Sequence, residues 1–119
     1  MIDKEIKYMI YTIDNIEEIK DIYLHDYESL NINIDYINKS MVLALKSPEG
    51  IEKKIKVNQF YFLSVDRFEP WGEGFYINSF EINKDILNNQ FSSNNIFSLE
   101  ILINSGDKIL IYSERLLLE

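Results

Sequence analysis

Through most of the chain apolar and polar residues trade places at every second position. Leu30, Ile32, Ile34 and Tyr36 alternate with Asn31, Asn33 and Asp35, which predicts a strand with one wet face. Asn38-Lys39-Ser40 then turns the chain into a second strand, Met41-Val42-Leu43-Ala44-Leu45-Lys46. Ser47-Pro48-Glu49-Gly50 has turn chemistry, because proline presets one backbone angle and glycine tolerates positive φ. Ile55, Val57, Tyr61, Leu63 and Val65 predict a long third strand, bent near Asn58-Gln59, with Phe60 and Phe62 on its other face. Apolar residues on both faces predict a central place for it. Phe75 to Ile82 follows after a loop, and residues 83–95 form a connection with one helical turn, anchored by Ile86, Leu87 and Phe91. Phe97, Leu99, Ile101 and Ile103, the turn Asn104-Ser105-Gly106-Asp107, and Ile109, Ile111 and Tyr112 predict a C-terminal β-hairpin.

The first thirty residues have a different period. Ile13, Ile16, Ile19 and Tyr23 recur at three, three and four, predicting a helix over residues 15–23, capped by Asp14 with Glu17 three residues on. Ile6 to Thr12 reads as a strand with Ile6, Tyr8 and Ile10 on one face, or as a helical turn with Ile2, Ile6 and Met9; its Tyr, Ile and Thr content favours the strand. The expected fold is α+β, mainly antiparallel β: a sandwich or strongly curved sheet with one N-terminal helix and a C-terminal β-hairpin. Residues 1–119 are expected to form a single domain.

Composition narrows the function classes. The chain is 46% hydrophobic and 13% aromatic, enough to bury roughly two thirds of its unfolded surface, so a cooperative core is expected. Asp+Glu 20 against Lys+Arg 12 leaves −8 at pH 7, which repels nucleic acid and anionic membrane surfaces. The absence of cysteine removes disulfides, thiolate metal sites and cysteine nucleophiles together. The amino terminus mixes charges at once, and no stretch approaches the ~20 apolar residues of a membrane span, so a cytoplasmic location is expected. Twenty Ile, twelve Asn and ten Lys against two Arg, one Ala and one Thr are the skew that AT-rich codons produce, so a low-GC bacterial gene is expected.

Three places carry candidate chemistry. His25-Asp26, followed by Tyr27-Glu28, could serve a general base, but a catalytic zinc site wants more histidines than the one present; the simpler role is capping the end of the helix. Asp66, Glu69, Glu73 and Glu81 lie close in sequence, as a glycosidase pair would, although spacing alone sets no separation between them. The loop Phe68-Glu69-Pro70-Trp71-Gly72-Glu73-Gly74-Phe75-Tyr76 sets the sole tryptophan among aromatics and glutamates, the composition of a protein interface. Trp71 either anchors a partner or folds back to plug the sheet's open end. The expected contact residues are Asp66, Phe68, Glu69, Trp71 and Glu73; no catalytic residue, cofactor or metal is expected.

The helix leading into Leu24-His25-Asp26-Tyr27-Glu28, the alternating strands after it and the terminal Phe97 to Ile109 hairpin resemble small proteins of low-GC bacteria, some of them grouped with the immunity proteins of polymorphic toxin systems. That resemblance implies a non-enzymatic cytoplasmic protein that binds a cognate toxin and blocks it. Acidity suits the role, since toxins acting on nucleic acid need basic clefts and an opposite charge speeds encounter. The alternatives are a small-ligand carrier, in which a β-barrel encloses an apolar pocket, and a homo-oligomer using Leu116-Leu117-Leu118 as interface. A hydrolase built on His25 is the third.

Overall fold

The computed structural model of the protein describes residues 9–21, 24–66, 74–84 and 95–119. Among the described residues nine strands make two sheets, and every ladder is antiparallel. One sheet contains β1 (Met9–Tyr11), β9 (Leu116–Leu118), β4 (Glu52–Val57), β3 (Ser40–Lys46) and β2 (Glu28–Asp35), in that order. The other contains β5 (Phe62–Val65), β8 (Lys108–Ser113), β7 (Phe97–Ile103) and β6 (Ile77–Asn83). Alternation explains the burial. On β3 Met41, Leu43 and Leu45 point inward, on β7 Phe97, Leu99, Ile101 and Ile103, and on β8 Ile109 and Ile111; residues of both sheets share one core.

Two segments change sheets without a long connection. β4 runs into β5 through Asn58–Tyr61, and β8 into β9 through Ser113–Arg115. Because β4 pairs with β9 and β5 with β8, the two segments form one ribbon folded across the corner of the sandwich. Gln59 adopts φ 61 at the first bend, and the Ser113 hydroxyl ties the second, donating to Arg115 O at 2.8 Å and accepting from Arg115 N at 3.2 Å. The bend expected at Asn58-Gln59 is therefore present. It splits the expected third strand: β4 is internal to its sheet, but β5 lies at the end of its strand order, so the expected central position holds for the first half only.

On the opposite side β2 and β6 are stitched together. Glu28 bridges Tyr76, Ser29 N donates to Phe75 O at 2.8 Å, Ile77 N to Tyr27 O at 2.9 Å, and Asp26 N to Ile77 O at 3.0 Å. A folded ribbon at one corner and a seam at the other give the sandwich a barrel-like closure.

The N-terminal α-helix is a correction, and with it the α+β class. Ile16–Asp21 forms a six-residue 3-10 helix instead. The reason lies in the spacing: three residues per turn place Ile13, Ile16 and Ile19 on one line, and Ile16 and Ile19 are fully buried. The expected Asp14 cap is replaced by a side-chain bond ahead of the helix, in which Asn15 Oδ1 accepts from Thr12 N at 2.7 Å. β1 exists, but Tyr11 is the buried residue while Ile10 is about half exposed, so the inward face is the other one. Leu116 and Leu118 belong to the core and Leu117 is partly covered. Ile86, Leu87 and Phe91 lie outside the described residues.

Candidate functional site

The strands run between two ends of the sandwich, and each end has its own chemistry. At the first, which we call the cleft end, β2 begins, β3 turns into β4, and the β7–β8 turn projects. A cleft of about 650 Å³ opens there, lined by Asp26, Glu28, Lys46, Glu49 and Tyr76 with the Ser47-Pro48 step and Gly50. Its size is that of a ligand pocket, and its walls mix charged groups with the apolar surface of Pro48 and Tyr76. Three carboxylates face one ammonium. Lys46 sits between Glu28 on β2 and Glu52 on β4 in the cross-strand register, which neutralises part of that charge. The turn below is fixed by Ser47, whose hydroxyl accepts from Ile51 N at 2.9 Å.

The described flanks of the expected contact loop are held at this same end. Asp66, immediately after β5, donates its N–H to Lys108 O at 2.8 Å. On the return, Asn104 in the β7–β8 turn grips Gly74 and Tyr76: its amide donates to Gly74 O at 3.0 Å and its Oδ1 accepts from Tyr76 N at 3.0 Å. Phe68, Glu69, Trp71 and Glu73 lie outside the described residues; of the flanks of their segment, the Gly74 to Tyr76 side reaches the acidic cleft, and Asp66 lies across the sheet beside β8. Asp66 and Glu81, in contrast, are not brought together. They belong to β5 and β6 at the two ends of the strand order, three strand spacings or roughly 14 Å across the sheet. Glu81 instead faces Glu100 in register, and Glu100 pairs with Lys108 at 3.9 Å.

His25 and Asp26 form the turn before β2, with Nδ1 and Oδ1 3.1 Å apart and both side chains about half exposed. Asp26 adopts φ 70, a conformation that aspartate tolerates better than most residues. Among the described residues no group of His, Asp and Glu is placed to hold a metal ion. Among them, too, no helix is long and apolar enough to cross a membrane.

The second end, the hairpin end, was not legible as a site. The β2–β3 turn carries Tyr36 and Ile37, which are 70% and 92% exposed. Tyr36 was expected to close the alternating face of β2; instead Asp35 ends the strand. The Asp35 carboxylate folds over the turn, accepting from Ile37 N at 3.0 Å, Asn38 N at 3.1 Å and Asn38 Nδ2 at 2.7 Å. These bonds, from the Asn38 backbone first and then its side chain, hold the Asp35 carboxyl below its ordinary value. Lys39 closes the turn at φ 54, and its carbonyl accepts from Phe60 N at 2.8 Å, tying the turn to the ribbon bend. Between them lies a second cleft of about 330 Å³, bordered by Ile37, Lys39, Tyr61, Glu114 and Arg115. Beside it Phe62, also exposed, packs its ring against Tyr112 at 5.1 Å. The signal in the sequence was an apolar pair bracketed by Asp35 and Asn38, two residues that form side-chain-capped turns.

No protein-family model matches the chain, and no curated protein matches it.

Proposed function

We propose that the protein is a non-enzymatic binding domain whose cleft end docks on a cationic surface of another protein, and that it serves in the cytoplasm as an immunity protein neutralising a cognate bacterial toxin. One observation carries this reading: Gly74, which follows the segment with Phe68, Glu69, Trp71 and Glu73, is tied through Asn104 beside Tyr76, on the wall of a cleft that also holds Asp26, Glu28 and Glu49. Carboxylates around a tryptophan give such a surface fast encounter through steering and slow release through the buried ring. The resemblance of the Leu24 to Glu28 segment and the terminal hairpin to small proteins of low-GC bacteria, some of them grouped with immunity proteins, suggests the biological setting.

Co-expression with the protein encoded beside its gene tests the proposal. A complex is expected to co-purify, to form more slowly as salt rises, and to protect growth. Glu69→Ala with Trp71→Ala should weaken it by about a hundredfold, consistent with loss of one interface hot spot. If Trp71 plugs the core instead, Trp71→Ala costs about 3–5 kcal/mol of stability, whereas an anchor leaves the melting curve nearly unchanged. Absence of both complex and protection would remove the immunity reading.

A further inference from the structure

Residues 74–77 are held from both sides. Toward β2 they pair around the bridge between Glu28 and Tyr76, where Ser29 N donates to Phe75 O at 2.8 Å and Ile77 N to Tyr27 O at 2.9 Å. Toward β7 the ladder ends at Ile77 opposite Ile103, and the next residue, Asn104, carries it one step further. Asn104 N donates to Tyr76 O at 2.9 Å, as a strand residue does. Tyr76 N donates to the Asn104 side chain, to Oδ1 at 3.0 Å, in the place that a backbone carbonyl takes in an antiparallel pair. The other end of that amide, Nδ2, donates to Gly74 O at 3.0 Å. The turn itself has no need of the side chain. Ile103 N donates to Asp107 O at 2.9 Å, Gly106 N to Ile103 O at 2.9 Å and Asp107 N to the Ser105 hydroxyl at 3.3 Å, which closes the turn without it.

We infer that Asn104 is the positioning residue of the cleft end: its side-chain amide stands in for a strand rung, holds residues 74–76 against β2, and so sets Tyr76 beside Glu28 as one wall of the cleft. A carboxamide suits this task because it carries an acceptor and a donor on one short stem; aspartate lacks the donor, and the single oxygen of serine does not span two backbone groups. Gly74, at φ 90, is also where the segment bearing Trp71 rejoins the described chain, so the same amide fixes one end of the expected contact residues. Asn104 acts through these residues and not by touching a partner. Its consequence for binding rests on the proposed function, whereas its hold on the cleft wall rests on the hydrogen bonds alone.

Amide exchange of the free protein, followed by NMR, tests the hold. In Asn104→Ala the Tyr76 amide should lose protection by about tenfold, the scale of one hydrogen bond. Ser29 and Ile77, whose amides Asn104 does not touch, should lose protection with it, while Ile103 and Gly106 in the turn keep theirs. Asn104→Asp retains the acceptor for Tyr76 N and should restore most of the protection at all three, a rescue that a general role in folding does not give. Unchanged exchange at Ser29 and Ile77 overturns the inference. Binding to the protein encoded beside the gene is the second arm, measured where circular dichroism shows every variant folded. Asn104→Ala should weaken the complex by about tenfold, and together with Trp71→Ala it should cost less than the two separately, because both act through one segment. Wild-type affinity in Asn104→Ala, or strict additivity with Trp71→Ala, also overturns the inference. Should Asn104→Ala fail to fold, Asn104→Asp decides: without the bond to Gly74 O the complex should dissociate about threefold faster, and an unchanged rate counts against the inference. If the wild-type chain forms no complex, the toxin reading falls by itself, and exchange at Ser29 and Ile77 alone decides whether Asn104 sets the cleft wall.

Discussion

The two ends of the sandwich use the same material, a β-turn between neighbouring strands, to opposite effect. At the hairpin end Asp35 spends its carboxylate on its own turn, and the chain presents Tyr36 and Ile37 to solvent. At the cleft end the Ser47 hydroxyl fixes the turn, and Glu49 with the nearby Asp26 and Glu28 lines the cleft. What differs is which residue caps the backbone. A turn capped by its own carboxylate frees apolar residues for contact, and a turn capped by a hydroxyl leaves carboxylates free.

The comparison breaks most visibly if the ends do not share one core. Ile111 is fully buried on β8, in register with Leu63 on β5 and Leu99 on β7, midway along the folded ribbon. Ile111→Ala should cost about 2–5 kcal/mol through lost burial and the cavity left behind. Under denaturant, amide signals from Ile37 and from Gly50 should vanish at one common midpoint, lowered equally at both ends. Separate midpoints would show that the ends belong to different cooperative units, and their opposition would then be accidental.

Period-two alternation made β2, β3, β7 and β8 legible, because a strand with one buried face must repeat at two. The ribbon bend was legible too, since Asn58-Gln59 interrupts the apolar pattern with residues that favour turns. Sheet membership was not: whether β5 continues beside β4 or crosses to the other sheet depends on partners distant in sequence, Tyr112 and Leu110 on β8. The helix was misread because Ile13, Ile16 and Ile19 satisfy a three-residue period as well as one of 3.6, and too few turns follow to separate them. Of the expected contact residues, Asp66 is described and is anchored by its backbone at the cleft end. The hairpin end was missed because Tyr36 fits the alternation of β2 in sequence, while the Asp35 cap overrides that fit in space.

Backbone strain offers a smaller test of the same contrast. Gln59 and Lys39 hold φ 61 and φ 54 at the hairpin end, where a side chain is disfavoured, and Asp26 holds φ 70 at the cleft end, where its residue type softens the cost. Gln59→Gly should therefore stabilise the protein by up to about 1 kcal/mol, the relieved strain being partly offset by glycine's greater freedom when unfolded. Asp26→Gly should gain only about a few tenths or nothing, with the side-chain contact to His25 lost as well. Equal gains at the two positions in thermal denaturation would mean that strain is not concentrated at the hairpin end.

The finest distinction is the response to acid. Asp35 accepts three hydrogen bonds that favour its charged form, so its carboxyl in the folded protein titrates below the ordinary 3.8. A lowered folded value means that the cap contributes above the ordinary value and that its contribution is lost as pH falls through the folded one. The Ser47 hydroxyl at the cleft end does not titrate in that range. Amide exchange followed by NMR from neutral pH downward, corrected for intrinsic rates, should show Ile37 and Asn38 losing protection below about pH 3.8 while Ile51 keeps its own. Asp35→Asn should abolish the pH dependence at Ile37 and Asn38 and leave Ile51 untouched. Parallel loss at all three amides would trace the effect to general acid unfolding and erase the difference in capping from which the two surfaces were distinguished.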